Sequence, residues 1–106
     1  MSRQSSVGWS DEELKAAIKS YLWMLDQENK GKNYSKIEVN ERLRNEEIPE
    51  RSKASIEYRM RNISSVLQDL SLPHIEGYSP AKNVGSGIRG RIIRILNNLN
   101  FYDSNE

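Results

Sequence analysis

Arg61 and Asn62 place a guanidinium fork and a carboxamide on neighbouring positions, with Tyr58 one helical turn before them. These are the two side chains best shaped for paired hydrogen bonds: a guanidinium matches O6 and N7 of guanine, and a carboxamide matches N6 and N7 of adenine. A tyrosine ring, or the methyl of Ala54, can rest on the methyl group of thymine or methylcytosine. Ala54, Ser55, Tyr58, Arg61, Asn62 and Ser65 recur at spacings that share one side of a helix, and none is acidic. In a chain with 15 Asp and Glu, a face without carboxylates suits the approach of a polyanion. These six residues are candidates for contact with base edges, against the plainer reading of an ordinary exposed helix face.

A second group has the chemistry for phosphate. Arg51, Ser52 and Lys53 stand at the expected start of the same helix, where free amides and the positive dipole end favour anions, and Arg59 flanks it. Lys82, Arg89, Arg91 and Arg94 follow further along the chain. For the last three, a solvated helix edge fits the residue types as well as phosphate contact does. The stretch Val84-Gly85-Ser86-Gly87-Ile88-Arg89-Gly90 suits a tight turn into a helix or a backbone contact, and it lacks the lysine and spacing of a nucleotide-binding loop.

Bond-breaking chemistry is not indicated. The absence of cysteine excludes thiol nucleophiles, disulfides and thiolate metal sites, and the lone His74, between Pro73 and Ile75, fits a packed or surface loop group. Carboxylates fall mostly on the first two helices, as caps and lysine partners, with no paired-acid arrangement. The expectation is no catalysis, no metal and no cofactor. Trp9 and Trp23 are read as core or core-rim aromatics, Trp9 packing just before the first helix cap.

Four helical segments must position these groups. Ser10 with Glu13 forms a capping box, and Leu14, Ile18, Tyr21, Leu22 and Leu25 then make one apolar stripe that ends at Asn29–Asn33 around Gly31. A second capping box, Ser35 with Glu38, opens a shorter helix to about Asn45, with Ile37, Val39 and Leu43 expected inward. Pro49 stops it, and Ser52 caps a third helix reaching Leu70, whose buried stripe is Ile56, Met60, Ile63, Leu67 and Leu70 with Val66 at the edge. After an irregular stretch from His74 to Gly87, expected to pack back onto the bundle, Ile88, Ile92, Ile95, Leu96 and Leu99 form a fourth stripe.

At 106 residues the chain is long enough for one core: a single helical domain over 9–101, with polar tails at 1–8 and 102–106 expected to fray. Its net charge of +1 hides an uneven layout. Met1 to Glu50 carries eight basic and ten acidic residues, whereas Arg51 to Arg94 carries eight basic and three acidic. The second half is therefore the cationic one, as a polyanion partner would require. Neither a secretion signal nor a membrane span is apparent, so a cytoplasmic, nucleoid-associated protein is expected.

Trp9-Ser10-Asp11-Glu12-Glu13-Leu14 resembles the tryptophan-and-acid opening of Myb/SANT-like helix-turn-helix domains, and Arg51-Ser52 through Arg59 to Asn62 resembles their third, DNA-reading helix. The resemblance covers roughly residues 9 to 70 and implies an all-α fold, a three-helix Myb/SANT-like bundle plus a C-terminal helix. Over a longer stretch, Arg51 to Ser64, Leu72-Pro73, Gly77-Tyr78 and Pro80 to Gly85 resemble the small N-terminal domain found ahead of HNH nucleases in bacterial modification-dependent restriction endonucleases. That implies a module that targets duplex DNA, modified DNA included, for a fused or partner nuclease. An HNH site needs several histidines and a metal, so nuclease activity does not transfer to these residues.

The expectation is a duplex-DNA-binding targeting module with its third helix in the major groove, gaining useful affinity through weak homodimerisation or an associated effector. The alternative is a protein-interaction adaptor built on the same bundle, using the acidic first half as a second surface.

Overall fold

The computed structural model describes residues 8–101, apart from the side chain of Ser86. The expected tails lie outside the described residues except for Gly8, whose carbonyl accepts from Arg51. The helices are α1 (Asp11–Asn29), α2 (Lys36–Asn45), α3 (Lys53–Asp69) and α4 (Ser86–Asn98), with no strand among the described residues.

Helix ends follow from local chemistry. At α1 the Ser10 amide donates to Glu13 Oε1 at 2.9 Å while Ser10 Oγ accepts from the Glu13 amide at 3.1 Å, so two otherwise orphaned donors are satisfied together. Gly31, at φ +71°, takes the left-handed turn that ends α1. Ser35 and Ser52 cap α2 and α3 by accepting from Glu38 N and Ser55 N, each at 3.1 Å; at α2 only this half of the expected box forms. By contrast, α4 starts from Gly85 with no side-chain cap.

Helices α1 and α3 form the middle of the bundle, each in contact with the other and with both α2 and α4. Leu14, Ile18, Tyr21 and Leu25 of α1 meet Ile56, Met60, Ile63 and Leu67 of α3, and Leu43, Ile48, Ile92 and Leu96 complete the core. Two expected core residues are outside it: Ile37 is 57% exposed and Trp23 is 52% exposed. On the ten-residue α2, Val39, Asn40 and Leu43 take the inward side, which turns Ile37 to solvent. Trp23 precedes the inward pair Met24 and Leu25, and so falls off the α1 stripe.

The connection from α3 to α4 folds back onto the bundle, as expected. Ile75, Tyr78 and Ala81 are buried along it. The buried hydroxyl of Tyr21 accepts from the Ile75 amide at 2.9 Å and shares a hydrogen bond with Ser64 Oγ at 2.7 Å, while the Tyr21 and Tyr78 rings stack 6.3 Å apart. Burial raises the pKa of Tyr21, and that of Tyr78 to about 12, so both stay neutral and suited to the interior. Further along, Lys36 Nζ donates to the Gly77 carbonyl at 2.9 Å and lies over the Tyr78 ring.

Candidate nucleic-acid interface

Helix α3 divides into two halves with different environments. In the first, Lys53, Ala54, Glu57, Tyr58 and Arg61 are exposed and Ser55 is half-buried. In the second, all six residues from Asn62 to Leu67 are buried, so no side of the helix faces solvent there. This corrects the expected reading face at two positions. Asn62 is fully buried, with Nδ2 donating to Ala81 O at 3.2 Å and Oδ1 accepting from Arg59 Nη1 at 2.8 Å; Ser65 is 3% exposed. At Asn62 the cause is the returning connection, which lies along α3 and bonds to it: Ala81 N donates to Arg61 O at 3.1 Å and Arg61 Nε to Ser79 O at 3.0 Å. Tyr58 Oη reaches Asn83 O at 3.3 Å. The face is not free of acid either, because Glu57 is exposed one turn from both Ala54 and Arg61.

Arg51 and Arg59, expected at phosphates, are turned inward by Trp9. Their guanidinium carbons stand 5.3 and 5.1 Å from its ring centroid. Arg51 also pairs with Glu13 Oε1 at 3.0 Å, its side chain only 10% exposed. Burial would raise the Glu13 pKa, but hydrogen bonds from Arg51 and the Ser10 amide outweigh it and hold the carboxyl below its ordinary value. Burial lowers the Arg59 pKa, with repulsion from Arg51 and Arg91 adding to it and the nearby Tyr58 opposing it. Arg59 Nε is buried without a hydrogen-bond partner among the described residues, where the ring face and Asn62 carry most of the compensation for that charge.

The α4 arginines meet acids of the same chain. Arg89 pairs with Asp69 at 2.7 Å, while Arg91 and Arg94 both bind Asp11, at 2.9 and 3.3 Å. Hydrogen bonds from Arg91, then Arg94, lower the Asp11 pKa. All three pairs are partly exposed, the kind of contact that solvent and salt weaken. Ser52 uses its hydroxyl as the α3 cap. Lys53 and Lys82 are exposed and meet no carboxylate among the described residues.

What remains outward is one surface across two elements: Lys53, Ala54, Tyr58 and Arg61 from α3, beside Lys82 and Asn83 of the connection. Three cations face one carboxylate, Glu57, on it. Neither a family model, nor a curated protein, nor a solved structure matches the chain. No group of three or more metal-ligating side chains occurs among the described residues, and no described helix is long and apolar enough to cross a membrane.

A different surface lies between α1 and α2, where Trp23, Glu38, Val39 and Arg42 line a cleft of about 440 Å³. An adjoining cleft of about 510 Å³ shares Trp23 and Arg42 and adds Lys15 and Lys19. The sequence does not reveal this surface, because the residue type of Trp23 points to the core or its rim while its side chain is 52% exposed.

Proposed function

We propose that this chain is a duplex-DNA-binding targeting module in which the exposed first half of α3, the third helix of a Myb/SANT-like arrangement, enters the major groove. One observation carries the reading: Lys53, Ala54, Tyr58 and Arg61 are outward and contiguous with Lys82, and none of the three cations has a carboxylate partner among the described residues. Arg61 spends Nε on Ser79 and keeps its terminal nitrogens for a base edge or a phosphate. Tyr58 and Ala54 supply the apolar contact for a thymine or methylcytosine methyl, with Ser55 at the margin. Lys53 and Lys82 take the backbone. Asn62, Ser65, Arg51 and Arg59 leave the contact set and act as the frame that holds it.

The resemblance noted above supports a role beside a bacterial restriction or defence nuclease, acting at the nucleoid on DNA that includes modified bases. So small a reading surface needs a second copy or an effector for useful affinity. The test is a titration against random duplexes at rising salt: a steep loss of affinity is expected, and salt-insensitive or absent binding would sink the reading.

A second reading, the protein-interaction adaptor, is favoured by the half-exposed Trp23 over the α1–α2 cleft, since exposed tryptophans next to a cleft are common anchors at interfaces.

A further inference from the structure

Asp11 holds two arginines with one carboxylate. Its Oδ1 accepts from Arg91 Nε at 2.9 Å and its Oδ2 from Arg94 Nη2 at 3.3 Å. Arg91 also donates to the Trp9 carbonyl at 2.6 Å, which fixes the direction of its fork. Arginines gather here. Arg51 and Arg59 lie against Trp9 and Arg91 and Arg94 follow beside it; Asp11 and Glu13 pair with them, while Glu12, Glu47 and Glu50 line the cleft on the Arg51 side. Glu13 is committed to Arg51 in an enclosed pair, their side chains 15% and 10% exposed. Asp11 and Arg94 are 50% and 52% exposed, so theirs is the contact that water reaches. Approach is open as well: Gly87 and Gly90 share this side of α4, and a Cβ at either would meet nothing within 4 Å.

We propose that Arg91 and Arg94 form a phosphate-binding site that Asp11 fills in the free protein, and that an incoming phosphate displaces the Asp11 carboxylate. A phosphate offers two oxygens to two guanidinium groups much as the carboxylate does. In the exchange each arginine gives up a carboxylate oxygen and gains a phosphate oxygen. Asp11 returns to water and stays in the first turn of α1, where the helix dipole favours its charge. As to source, the inference rests on the duplex reading, with a backbone phosphodiester as the natural occupant. Such a contact carries no base information, so Asp11 would tune affinity without altering sequence preference.

The experiment uses the full chain, the Asp11→Asn variant, and Glu12→Gln as a neighbour with the same change of charge. Pyrophosphate is titrated while the Arg91 and Arg94 side-chain Nε resonances are followed by NMR, and a duplex is titrated separately. Asp11→Asn is expected to tighten both about two- to fivefold beyond Glu12→Gln, the range in which a partly exposed ion pair contributes. Adding Arg91→Ala and Arg94→Ala should erase that gain. Asp11→Ser, which keeps a polar first turn, repeats the comparison if the asparagine variant folds poorly. Equal tightening by Asp11→Asn and Glu12→Gln, or pyrophosphate shifts that bypass Arg91 and Arg94, would overturn the proposal. Localised pyrophosphate binding with no duplex binding would keep the site and remove the duplex reading. Duplex binding indifferent to Asp11 would do the reverse.

Discussion

The carboxamide of Asn62 donates to the carbonyl of Ala81, 3.2 Å away, and so fastens the α3–α4 connection to the inner half of α3. A side chain that looks suited to adenine is thereby used to hold the protein together. Replacing Asn62 with alanine should lower stability by about 1–3 kcal/mol, the cost of leaving buried polar partners unmet. Denaturant unfolding would report it as a lower midpoint at unchanged slope; an unchanged midpoint would contradict this assignment.

Tyr21→Phe removes one hydroxyl and strands two buried groups, the Ser64 hydroxyl and the Ile75 amide. The expected loss is again about 1–3 kcal/mol. Faster hydrogen exchange at the Ile75 amide, beyond that of core amides in α1, would show that the connection loosens first.

Glu13 makes stability depend on pH. Its folded-state pKa lies below the ordinary value of 4.5, so its contribution is fully present above that value and is lost as pH falls through the lower, folded pKa. Acid unfolding of Glu13→Gln should therefore show a shallower decline below about pH 4.5 than the parent chain. Parallel acid limbs would mean that the pair with Arg51 adds nothing.

The two tryptophans should behave oppositely. Trp9, 5% exposed beneath two guanidinium groups, should cost about 3–5 kcal/mol when changed to alanine, whereas Trp23→Ala should stay within about 0.5 kcal/mol. Thermal melts of the two variants decide this. A large loss at Trp23 would move that residue back into the core and weaken the adaptor reading.

On the proposed duplex surface, Lys53→Ala and Lys82→Ala should each reduce the slope of log affinity against log salt by about 1 and weaken all sequences alike. Arg61→Ala together with Tyr58→Ala should change which sequences are preferred. Uniform weakening by the second pair would show that the surface reads backbone only.

Much of the helical framework was legible, because caps and stripes are local signals. Ser10 with Glu13, Gly31 and Ser52 stand at or beside the ends of helices that the apolar spacing anticipates. Which face of α3 stayed free was not legible. A wheel places Asn62 and Ser65 beside Tyr58, and it is the tertiary packing, at Asn62 the path of residues 79–83 further along the chain, that covers them. The arginines were ambiguous for the same reason, since the one acid that meets both Arg91 and Arg94, Asp11, lies 80 and 83 positions earlier. Locally Asp11 signals no more than an acid suited to the positive end of the α1 dipole, with no hint of its distant partners.

Because α4 docks beside the beginning of α1, one seam of this bundle joins the first and the last of the described helices. Closing so long a loop is entropically late, so that seam should zip only after the inner helices have assembled. Trimming one extremity would then unsettle the other, and a circularly permuted chain opened near Gly31 should zip its seam sooner than the parent.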